Sequence, residues 1–592
     1  MKKIFSFHIF AIGVITVLII TVFRTWFLPG VIAGGDLPYY FSLYIHGISF
    51  LSSWSIQNMG MGSSMLPTLW LQMYTMATLK IFSFLPWDVY VRIVWLFPYL
   101  LFLIVSSYFL GKYYFKNGFF YLLTPFLYVC NTYALLLVGG GQMGIALSYA
   151  LVPFGILAFE NFLKKLTVKS AILFSFAFSL IFLMDIRIAY ILIWLLGVRF
   201  LFELPLVTKE KVKKHFLLVL SGVIIGGLHA FWLLPTLFTH GSALKQFGDI
   251  FTSSGAVKFF SFAKFENTLG LLHPNWPENI FGLTHFMQPE FLLLPILAFG
   301  SLLFIKPFNK LREKNMRLLR PALVGLAMTN ENIYVLFFAL LGLIGVFLAK
   351  GANAPFGNVY LWLFNHVPGF IMFRDPTKWY LLIVVSYSML IPFTVGKVYE
   401  RLKNYKFTIF NLQLVIKSKI FNIQNAFVAV TLTYLLFLIK PAILGQLSGT
   451  LRQHSIPQEY NKLQEFLASK NRFSRTLWVP VVDRFGFISN SHPAVSAEDF
   501  FHVASVSAVI DRLDEETTGK LLEEAAVQYI IVPYDSEKEI FLKDRKYDNT
   551  QYLQTISHMQ KIKWLHEVSG FGRIRVFQLY NPSDHFWLTG QG

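Results

Sequence analysis

Apolar stretches of membrane-spanning length recur along the first three quarters of this chain, and they constrain its fold more than any other feature. A helix of roughly 20 apolar residues is long enough to cross the hydrocarbon core of a bilayer. The sequence is 55% hydrophobic and only 14% charged, which lies outside the range of ordinary soluble domains. We therefore predict an α-helical polytopic membrane protein with about 11 transmembrane helices. The predicted spans are residues 7–28, 91–110, 117–138, 143–162, 169–186, 187–204, 215–238, 290–306, 332–350, 378–396 and 424–441.

The basic residues predict how these spans are oriented. A net charge of +19 would suggest a nucleic acid partner in a soluble chain, but here most Lys and Arg residues lie in short loops between spans. If Lys2 and Lys3 are cytoplasmic, five further basic loops fall on the same side, as the positive-inside rule requires. Those loops are at residues 112–116, 164–169, 209–214, 306–320 and 397–419. We expect a multi-pass plasma-membrane protein with a cytoplasmic N-terminus and no nucleic acid partner.

Four long segments are then extracytoplasmic, and any chemistry is expected there. They are residues 29–90, 239–289, 351–377 and everything after about residue 442. The first of them has helical periodicity at residues 39–54 and 66–82, which suggests helices lying along the membrane interface. The large aromatic content is consistent with anchoring at that depth.

The sequence changes character near residue 442, where charged residues become dense. Helical patterns at residues 458–470, 515–527 and 549–562 alternate with strand-like runs at 475–482, 527–534 and 572–580. This alternation is typical of a small α/β domain. We predict a transmembrane domain over residues 1–441, with a large first external loop at 29–90, and an extracytoplasmic soluble α/β domain over 442–592.

Seven segments, taken together, resemble the bacterial GT-C membrane glycosyltransferases, especially the YfhO type and the mycobacterial arabinofuranosyltransferase type. The segments are GGDLPYYFSLYIHGISFLSSWSIQNMGMGSS (34–64), GGGQMGIALSYALVPF (139–154), DIRIAY (185–190), HAFWLLPTLF (229–238), HPNWPEN (273–279), GANAPFGNVYLWLFNHVPGFIMFRDPTKW (351–379) and AAVQYIIVPYD (525–535). The resemblance is spread over most of the chain, and the order of the segments carries it rather than any single string. It implies a GT-C-like fold, a sugar donor carried on a polyprenyl phosphate, and inversion at the anomeric carbon.

Asp36 matches the aspartate that the family carries in its first external loop. An acceptor hydroxyl is a poor nucleophile, and a carboxylate within hydrogen-bonding distance can take its proton as the bond to the sugar forms. The alternative is structural, because Asp36 directly precedes an apolar helical pattern and aspartate is a common N-cap there. We predict that Asp36 is the catalytic base, a role that is compatible with capping.

Arg374 and Lys378 are the predicted contacts to the donor phosphate. Both lie in FRDPTKW, where a span begins at the external interface, and charge builds on the phosphate oxygen as the sugar leaves. Basic residues at span ends also extend toward lipid head groups for positional reasons alone. Asp375 is expected to pair with Arg374 and to fix its direction.

Arg187 and His229 are further candidates for the phosphate site. Arg187 and Asp185 flank a tight return between two spans, where an ion pair either serves a ligand or closes the hairpin. His229, near the outer end of its span, could donate to a phosphate or a sugar hydroxyl, although a lone histidine is more often a hydrogen-bonded packing residue.

The predicted contacts to the rest of the substrate are Tyr39, Gln142, Asn275 and Trp276. Trp276 in HPNWPEN offers a face to a sugar ring or an isoprenoid, and interface anchoring explains it equally well. Gln142 follows three glycines where related proteins carry histidine, and this departure weakens a catalytic role for it.

No cofactor is predicted with certainty. Asp88, as a second carboxylate, could help Asp36 to hold a divalent cation such as Mg²⁺ or Mn²⁺, but no DxD-type pair stands beside Asp36. The sequence also lacks the Walker GxxxxGK[ST], HExxH and CxxC patterns, which counts against ATP-driven transport and familiar zinc chemistry.

Three functions remain open at this point. The first is an inverting glycosyltransferase that moves a sugar from a polyprenyl-phosphate donor to a cell-envelope glycan or lipid acceptor on the non-cytoplasmic face. The second is a lipid-linked glycan transporter or flippase, although the sequence has neither the repeated halves nor the midplane charges typical of transporters. The third is a membrane scaffold whose C-terminal domain binds partners. The resemblance favours the glycosyltransferase.

Overall fold

The computed structural model describes most of the chain in two compact units. The described residues are 13, 15–32, 37, 69–115, 119–203, 211–238, 253–273, 289–305, 330–403, 423–445, 453–483, 485–503, 505–535 and 549–580. The first unit comprises Met1–Thr25, Pro98–Val138 and Met143–Ser448, and the second comprises Trp26–Phe97, Gly139–Gln142 and Gly449–Gly592. The predicted domain division at residue 441 stays a prediction, but the unit that holds the C-terminal α/β domain also includes residues 26–97.

Helices form at all eleven positions where spans were predicted. Six are long and apolar enough to cross a membrane, counted over the described residues: Trp87–Tyr114, Phe120–Gly139, Met143–Lys165, Val212–Leu234, Asn332–Ala349 and Pro376–Leu402. Four more positions hold the shorter apolar helices Ile15–Phe27, Val168–Met184, Pro289–Phe304 and Ala426–Leu438. The remaining position holds the helix Ile186–Glu203. The predicted fold class is thereby confirmed.

The α-helices are numbered here in chain order. They are α1 (Ile15–Phe27), α2 (Leu69–Ile81), α3 (Trp87–Val91), α4 (Phe97–Tyr114), α5 (Leu123–Val129), α6 (Thr132–Gly139), α7 (Met143–Lys165), α8 (Val168–Met184), α9 (Ile186–Glu203), α10 (Lys211–Phe238), α11 (Ser254–Phe260), α12 (Phe265–Leu269), α13 (Leu293–Phe299), α14 (Asn330–Ala349), α15 (Gly357–His366), α16 (Tyr380–Lys403), α17 (Ile423–Leu438), α18 (Lys440–Ile443), α19 (Gln458–Ala468), α20 (Ala497–Phe501), α21 (Val506–Leu513), α22 (Thr518–Glu524) and α23 (Asn549–Met559).

Several helices of the first unit expose large apolar side chains, as expected where the surroundings are lipid. Along α10, Phe216, Val219 and Val223 are each more than half exposed. In contrast, α5 and α6 are enclosed by protein and bury Tyr128 and Tyr133 completely. Apolar exposure on this scale would be unfavourable in water, whereas helices whose backbone groups are internally bonded tolerate hydrocarbon well.

A buried ion pair joins α7 to α9 in the first unit. Arg199 Nε lies 2.5 Å from Glu160 Oε1, and both side chains are 3% exposed. The hydroxyl of Tyr114 donates to the same carboxylate oxygen at 2.9 Å. Arg199 follows Arg187 by twelve residues on α9, which places their backbones about 18 Å apart along the helix axis. We interpret this pair as a structural link between helices.

The C-terminal domain is built on a five-stranded sheet. Its strands, in the spatial order β4-β3-β5-β7-β6, are β3 (Arg475–Trp478), β4 (Ala494–Ser496), β5 (Val527–Val532), β6 (Leu565–Val568) and β7 (Arg575–Leu579). Strand β3 is parallel to β4 and β5, while β7 is antiparallel to β5 and β6. Helices α19, α22 and α23 and strands β3, β5 and β7 all fall within the runs that the sequence predicted, so the α/β character is confirmed.

A second, two-stranded sheet joins distant parts of the chain within the second unit. Strand β1 (Val31–Ile32) pairs with β2 (Gln453–His454) in antiparallel register, with Val31 opposite His454 and Ile32 opposite Gln453. The helical pattern predicted at residues 66–82 is confirmed by α2, whereas the pattern at 39–54 lies outside the described residues.

Candidate functional site

The segment before α16 is shaped by a capping aspartate followed by proline. Asp375 is the N-cap of a short 3₁₀ helix, Pro376–Trp379, that continues directly into α16. Its carboxylate accepts hydrogen bonds from the Thr377 backbone N–H at 3.0 Å and from Thr377 Oγ1 at 2.6 Å. Aspartate is a favoured N-cap, and proline fits the first helical position because its missing N–H would be unbonded there anyway.

The carboxylate of Asp375 is bound by Lys378. Lys378 Nζ lies 2.7 Å from Asp375 Oδ2, with the lysine side chain 4% exposed and the aspartate side chain 27% exposed. Burial by itself would raise the pKa of Asp375, but the Lys378 ammonium and the hydrogen bonds from Lys378 and Thr377 outweigh it and lower the pKa to about 2. The carboxylate is therefore ionised throughout the physiological pH range.

The sequence predicted a different partner for Asp375, namely Arg374. The pairing with Lys378 corrects this prediction: a residue one helical turn ahead on a capped 3₁₀ helix faces the cap carboxylate. Arg374 lies over the ring of Phe260, with its guanidinium carbon 5.4 Å from the ring centroid. Its planar group is thus packed against an aromatic face, an arrangement that suits arginine better than lysine.

A second ion pair forms at the return between α8 and α9. Arg187 NH2 lies 2.7 Å from Asp185 Oδ2, and Arg187 Nε donates to Asp185 Oδ1 at 3.2 Å. Asp185 Oδ1 also accepts from the backbone N–H groups of Arg187 and Ile188, so the aspartate caps α9. The predicted tight return is confirmed, and Asp185 both closes the hairpin and holds the guanidinium.

Tyr133 brings the two ion pairs together. Its buried hydroxyl donates to the backbone carbonyl of Lys378 at 3.4 Å. The same hydroxyl interacts electrostatically with Asp375 and with the Asp185–Arg187 pair. The chain segments carrying Arg187 and Lys378, which are 191 positions apart in sequence, therefore both lie near this tyrosine.

Tyr190 confirms this proximity from the next turn of α9. Its hydroxyl donates to the Pro368 carbonyl at 2.9 Å, and its ring centroid lies 5.4 Å from that of Phe373. Gly369 adopts a φ of +80°, and a Cβ there would meet the Tyr190 ring at 2.9 Å. The start of α9 and residues 368–373 thus pack closely because glycine permits it.

His273 also belongs to this cluster, although the sequence analysis did not select it. Its ring centroid lies 4.9 Å from Tyr380 and 5.7 Å from Tyr133. Burial lowers the pKa of His273 to about 3, the charge of Asp375 opposes that shift, and Lys378 adds to it. His273 is the first residue of HPNWPEN, from which the sequence analysis selected only Asn275 and Trp276. Its place in that segment was the signal that could have identified it as a site residue.

His229 packs near the same end of α8. Its ring centroid lies 4.3 Å from Phe182, one turn before Asp185, and its Nδ1 accepts a hydrogen bond from Trp232 Nε1 at 3.1 Å. Nε2 is buried and has no hydrogen-bond partner among the residues that the structure describes. The ring packs against Phe182 and Trp232, and because Nδ1 accepts, the proton of the neutral ring is on Nε2, which can act as a donor.

Among the other predicted site residues, Gln142 and Asp88 lie in the second unit, and the rest fall outside the described residues. Gln142 is half-buried directly before α7. Asp88 lies in the first turn of α3, 4.0 Å from Arg92 NH1. Over the described part of the chain, no three His, Cys, Asp or Glu side chains come together as metal ligands. Four residues lie outside the described residues, so their predicted roles stay predictions: Asp36, Tyr39, Asn275 and Trp276.

The apolar helices and the α/β domain together are similar in fold to the polytopic GT-C membrane enzymes, as the resemblance implied. A mycobacterial arabinofuranosyltransferase, AftD, superposes on this fold with a TM-score of 0.58 and 13% identity, over 96% of this chain and 40% of AftD. The oligosaccharyltransferase of Archaeoglobus fulgidus in its apo form matches with a TM-score of 0.44 and 12% identity, over 92% of this chain and 72% of that one. No family model and no curated protein sequence matches the chain.

The similarity to AftD extends to the fold alone. At 13% identity, the chain spans about two fifths of the length of AftD. Fold similarity at this level does not transfer chemistry, which has to be argued from the site itself.

Proposed function

We propose that this protein is an inverting membrane glycosyltransferase that moves a sugar from a polyprenyl-phosphate donor to a glycan or lipid acceptor of the cell envelope. The observation that carries this proposal is the convergence of Arg187 and Lys378 around Tyr133 in a GT-C-type fold. Each cation lies near the start of its own helix, and each is held by a neighbouring carboxylate.

The charge of the cluster suits a phosphodiester. Among the described residues, Arg187 and Lys378 are each paired with a carboxylate, and Arg374, next to Asp375 in sequence, carries a further positive charge. A polyprenyl-phosphate sugar carries one negative charge on its phosphate before transfer, and a second develops on the leaving oxygen as the bond to the sugar breaks. Fixed cations stabilise that developing charge more than they stabilise the bound donor, which is the requirement for catalysis.

The carboxylates keep the cations in place while the donor is absent. Asp185 holds Arg187 through two side-chain contacts, one to Nε and one to NH2. Asp375 holds Lys378 through the contact between Asp375 Oδ2 and Lys378 Nζ at 2.7 Å. Preorganised donors of this kind need little rearrangement when charge develops. His229 would add a neutral donor to a phosphate or sugar oxygen.

Asp36 is proposed as the base. The acceptor alcohol would attack the anomeric carbon as Asp36 removes its proton and the polyprenyl phosphate departs with the bonding electron pair. One displacement inverts the configuration at that carbon. Tyr39, Gln142, Asn275 and Trp276 would contact the sugar or the acceptor. The reaction would occur on the non-cytoplasmic face, with the N-terminus of the protein in the cytoplasm.

Sugar transfer by the purified full-length protein tests this function. Farnesyl phosphates linked to a radiolabelled pentose or hexose would serve as donors, with a crude envelope glycan and a set of alkyl glycosides as acceptors. We expect inverted product from the wild type and none from Asp36→Asn. Absence of transfer from every lipid-phosphate donor would overturn the proposal, and full turnover by Asp36→Asn would remove Asp36 from the base role.

Donor affinity tests the phosphate site separately. Arg374→Ala should weaken binding of the farnesyl-phosphate sugar about tenfold or more, since a charge-assisted hydrogen bond contributes roughly 1.5–3 kcal/mol. Lys258→Ala removes an exposed lysine of α11 and serves as the control that keeps wild-type affinity. Equal donor affinity in Arg374→Ala and Lys258→Ala would reject Arg374 as a phosphate ligand.

A fusion protein tests the orientation. A reporter that is active only outside the cytoplasm, attached after residue 592, should give a positive result. A cytoplasmic result would contradict the proposed membrane topology.

A further inference from the structure

The start of the first external loop is held by the segment that leads into the C-terminal domain. Strand β1 (Val31–Ile32) pairs with β2 (Gln453–His454), and both belong to the second compact unit. The side chain of Ile32 is completely buried. Two residues are too few for a stable ladder in isolation, so this pairing needs further contacts to persist.

Trp87 in α3 and Arg92 in the π-helical stretch Arg92–Leu96 that continues it supply those contacts. The indole Nε1 of Trp87 donates to the carbonyl of Ile32 at 3.0 Å, and the Trp87 side chain is itself buried. Arg92 NH2 donates to the carbonyls of Leu28 and Gly30, the latter at 3.1 Å. Three backbone carbonyls between residues 28 and 32 are therefore bound by side chains of one short helical stretch.

In the sequence, these contacts come shortly before Asp36. Leu37, the next described residue after Ile32, is 5% exposed. In sequence, buried described residues thus stand four positions before Asp36 and one position after it.

We propose that the C-terminal domain serves as the anchor of the loop that carries Asp36, through the β1–β2 pairing, with Trp87 and Arg92 as positioning residues. The catalytic consequence rests on the proposed function, in which Asp36 must hold its carboxylate within hydrogen-bonding distance of the acceptor. An error of about 1 Å in the position of a reacting group can lower a rate about 100-fold. The anchor acts on that position and not on donor binding.

The variant Trp87→Phe tests the anchor because it keeps an aromatic ring and removes the indole N–H. We expect kcat for sugar transfer to fall about 10- to 100-fold, while KM for the donor stays within about twofold of wild type. Trp362→Phe, at a tryptophan that is 56% exposed in α15, is the matched control and should keep wild-type kcat. A fall in donor affinity with unchanged kcat would contradict a positioning role.

A reversible crosslink between β1 and β2 tests whether restoring their pairing restores kcat in Trp87→Phe. Val31 and His454 are direct partners in an antiparallel ladder, whose opposed Cα atoms lie about 4.5–5.5 Å apart, within the range that a disulfide spans. The double change Val31→Cys/His454→Cys, added to Trp87→Phe, should restore kcat when oxidised and lose it again on reduction. The single native cysteine, Cys130, is buried and should not compete.

Hydrogen exchange separates failure of the anchor from failure of the proposed function. If the wild type transfers no sugar, the proposed function fails, and amide protection at Val31 and Ile32 still reports on the anchor. Protection that falls in Trp87→Phe and returns with the oxidised crosslink supports the anchor. Unchanged protection in Trp87→Phe, or a crosslink that forms without restoring protection or kcat, overturns it.

Discussion

Acidification should destabilise this protein through His273, and the variant His273→Gln should remove that sensitivity. His273 lies between the rings of Tyr133 and Tyr380, and burial lowers its pKa from 6.5 to about 3. The folded protein therefore disfavours the protonated imidazole, which the unfolded chain accepts freely. Glutamine keeps a polar side chain of similar reach that takes up no proton in this pH range.

The sign and the size of the effect follow from proton linkage. Because the folded pKa of His273 is lowered, the stability that this residue contributes is complete above about pH 6.5 and decreases as the pH falls toward about 3. Each pKa unit corresponds to about 1.4 kcal/mol, and pH 5 lies about 1.5 units below the ordinary histidine value. Moving from pH 7 to pH 5 should therefore cost about 2 kcal/mol of unfolding free energy.

Equilibrium denaturation in mixed micelles at pH 7 and pH 5 measures this loss. Wild type and His366→Gln, which removes an exposed histidine of α15, should both lose the stability linked to His273. His273→Gln should lose about 2 kcal/mol less than either, whatever its stability at pH 7. Equal pH dependence in all three proteins would refute the placement of a neutral, buried imidazole beside Asp375.

Two further predictions concern the same region of the first unit. Asp375→Asn should destabilise the protein by about 3–5 kcal/mol, because buried Lys378 loses its carboxylate partner. The double variant Asp375→Asn/Lys378→Met should recover much of that loss in the same denaturation assay. A double variant less stable than Asp375→Asn would contradict the pairing. Gly351→Ala should destabilise by about 2 kcal/mol or more, since residue 351 has a φ of +59° and a Cβ there would lie 2.3 Å from the Pro376 ring. The control Gly226→Ala, whose Cβ meets no atom within 4 Å, should not lower the midpoint of unfolding.

The sequence by itself determined where the long apolar helices are. Long apolar runs form helices because a chain in hydrocarbon must satisfy its own backbone hydrogen bonds, and this local requirement needs no knowledge of neighbours. The strands β3, β5 and β7 were also predictable, since each is a β-branched or aromatic run between turns. The strands β4 (Ala494–Ser496) and β6 (Leu565–Val568) were missed because each has a single β-branched residue and no Phe, Tyr or Trp.

Only the tertiary structure decided which side chains share a site. Local sequence motifs pointed to Arg187 and Lys378 as separate candidates. That both lie near Tyr133 depends on how α6, α9 and the segment before α16 pack. The partner of Asp375 was predicted wrongly because adjacency in sequence does not describe which side chains face each other on a capped helix. His273 was missed because burial between two tyrosines, which gives it an unusual pKa, is a property of the packed chain.

The pairing of Val31–Ile32 with Gln453–His454 also could not be predicted from the sequence. Two-residue strands more than 400 positions apart leave no periodic pattern, and the contacts of Trp87 and Arg92 with the same backbone leave none either. Local patterns determine helices and strands because those depend on near neighbours in sequence. Contacts between distant segments depend on the free energy of packing the whole chain, which only the folded structure reveals.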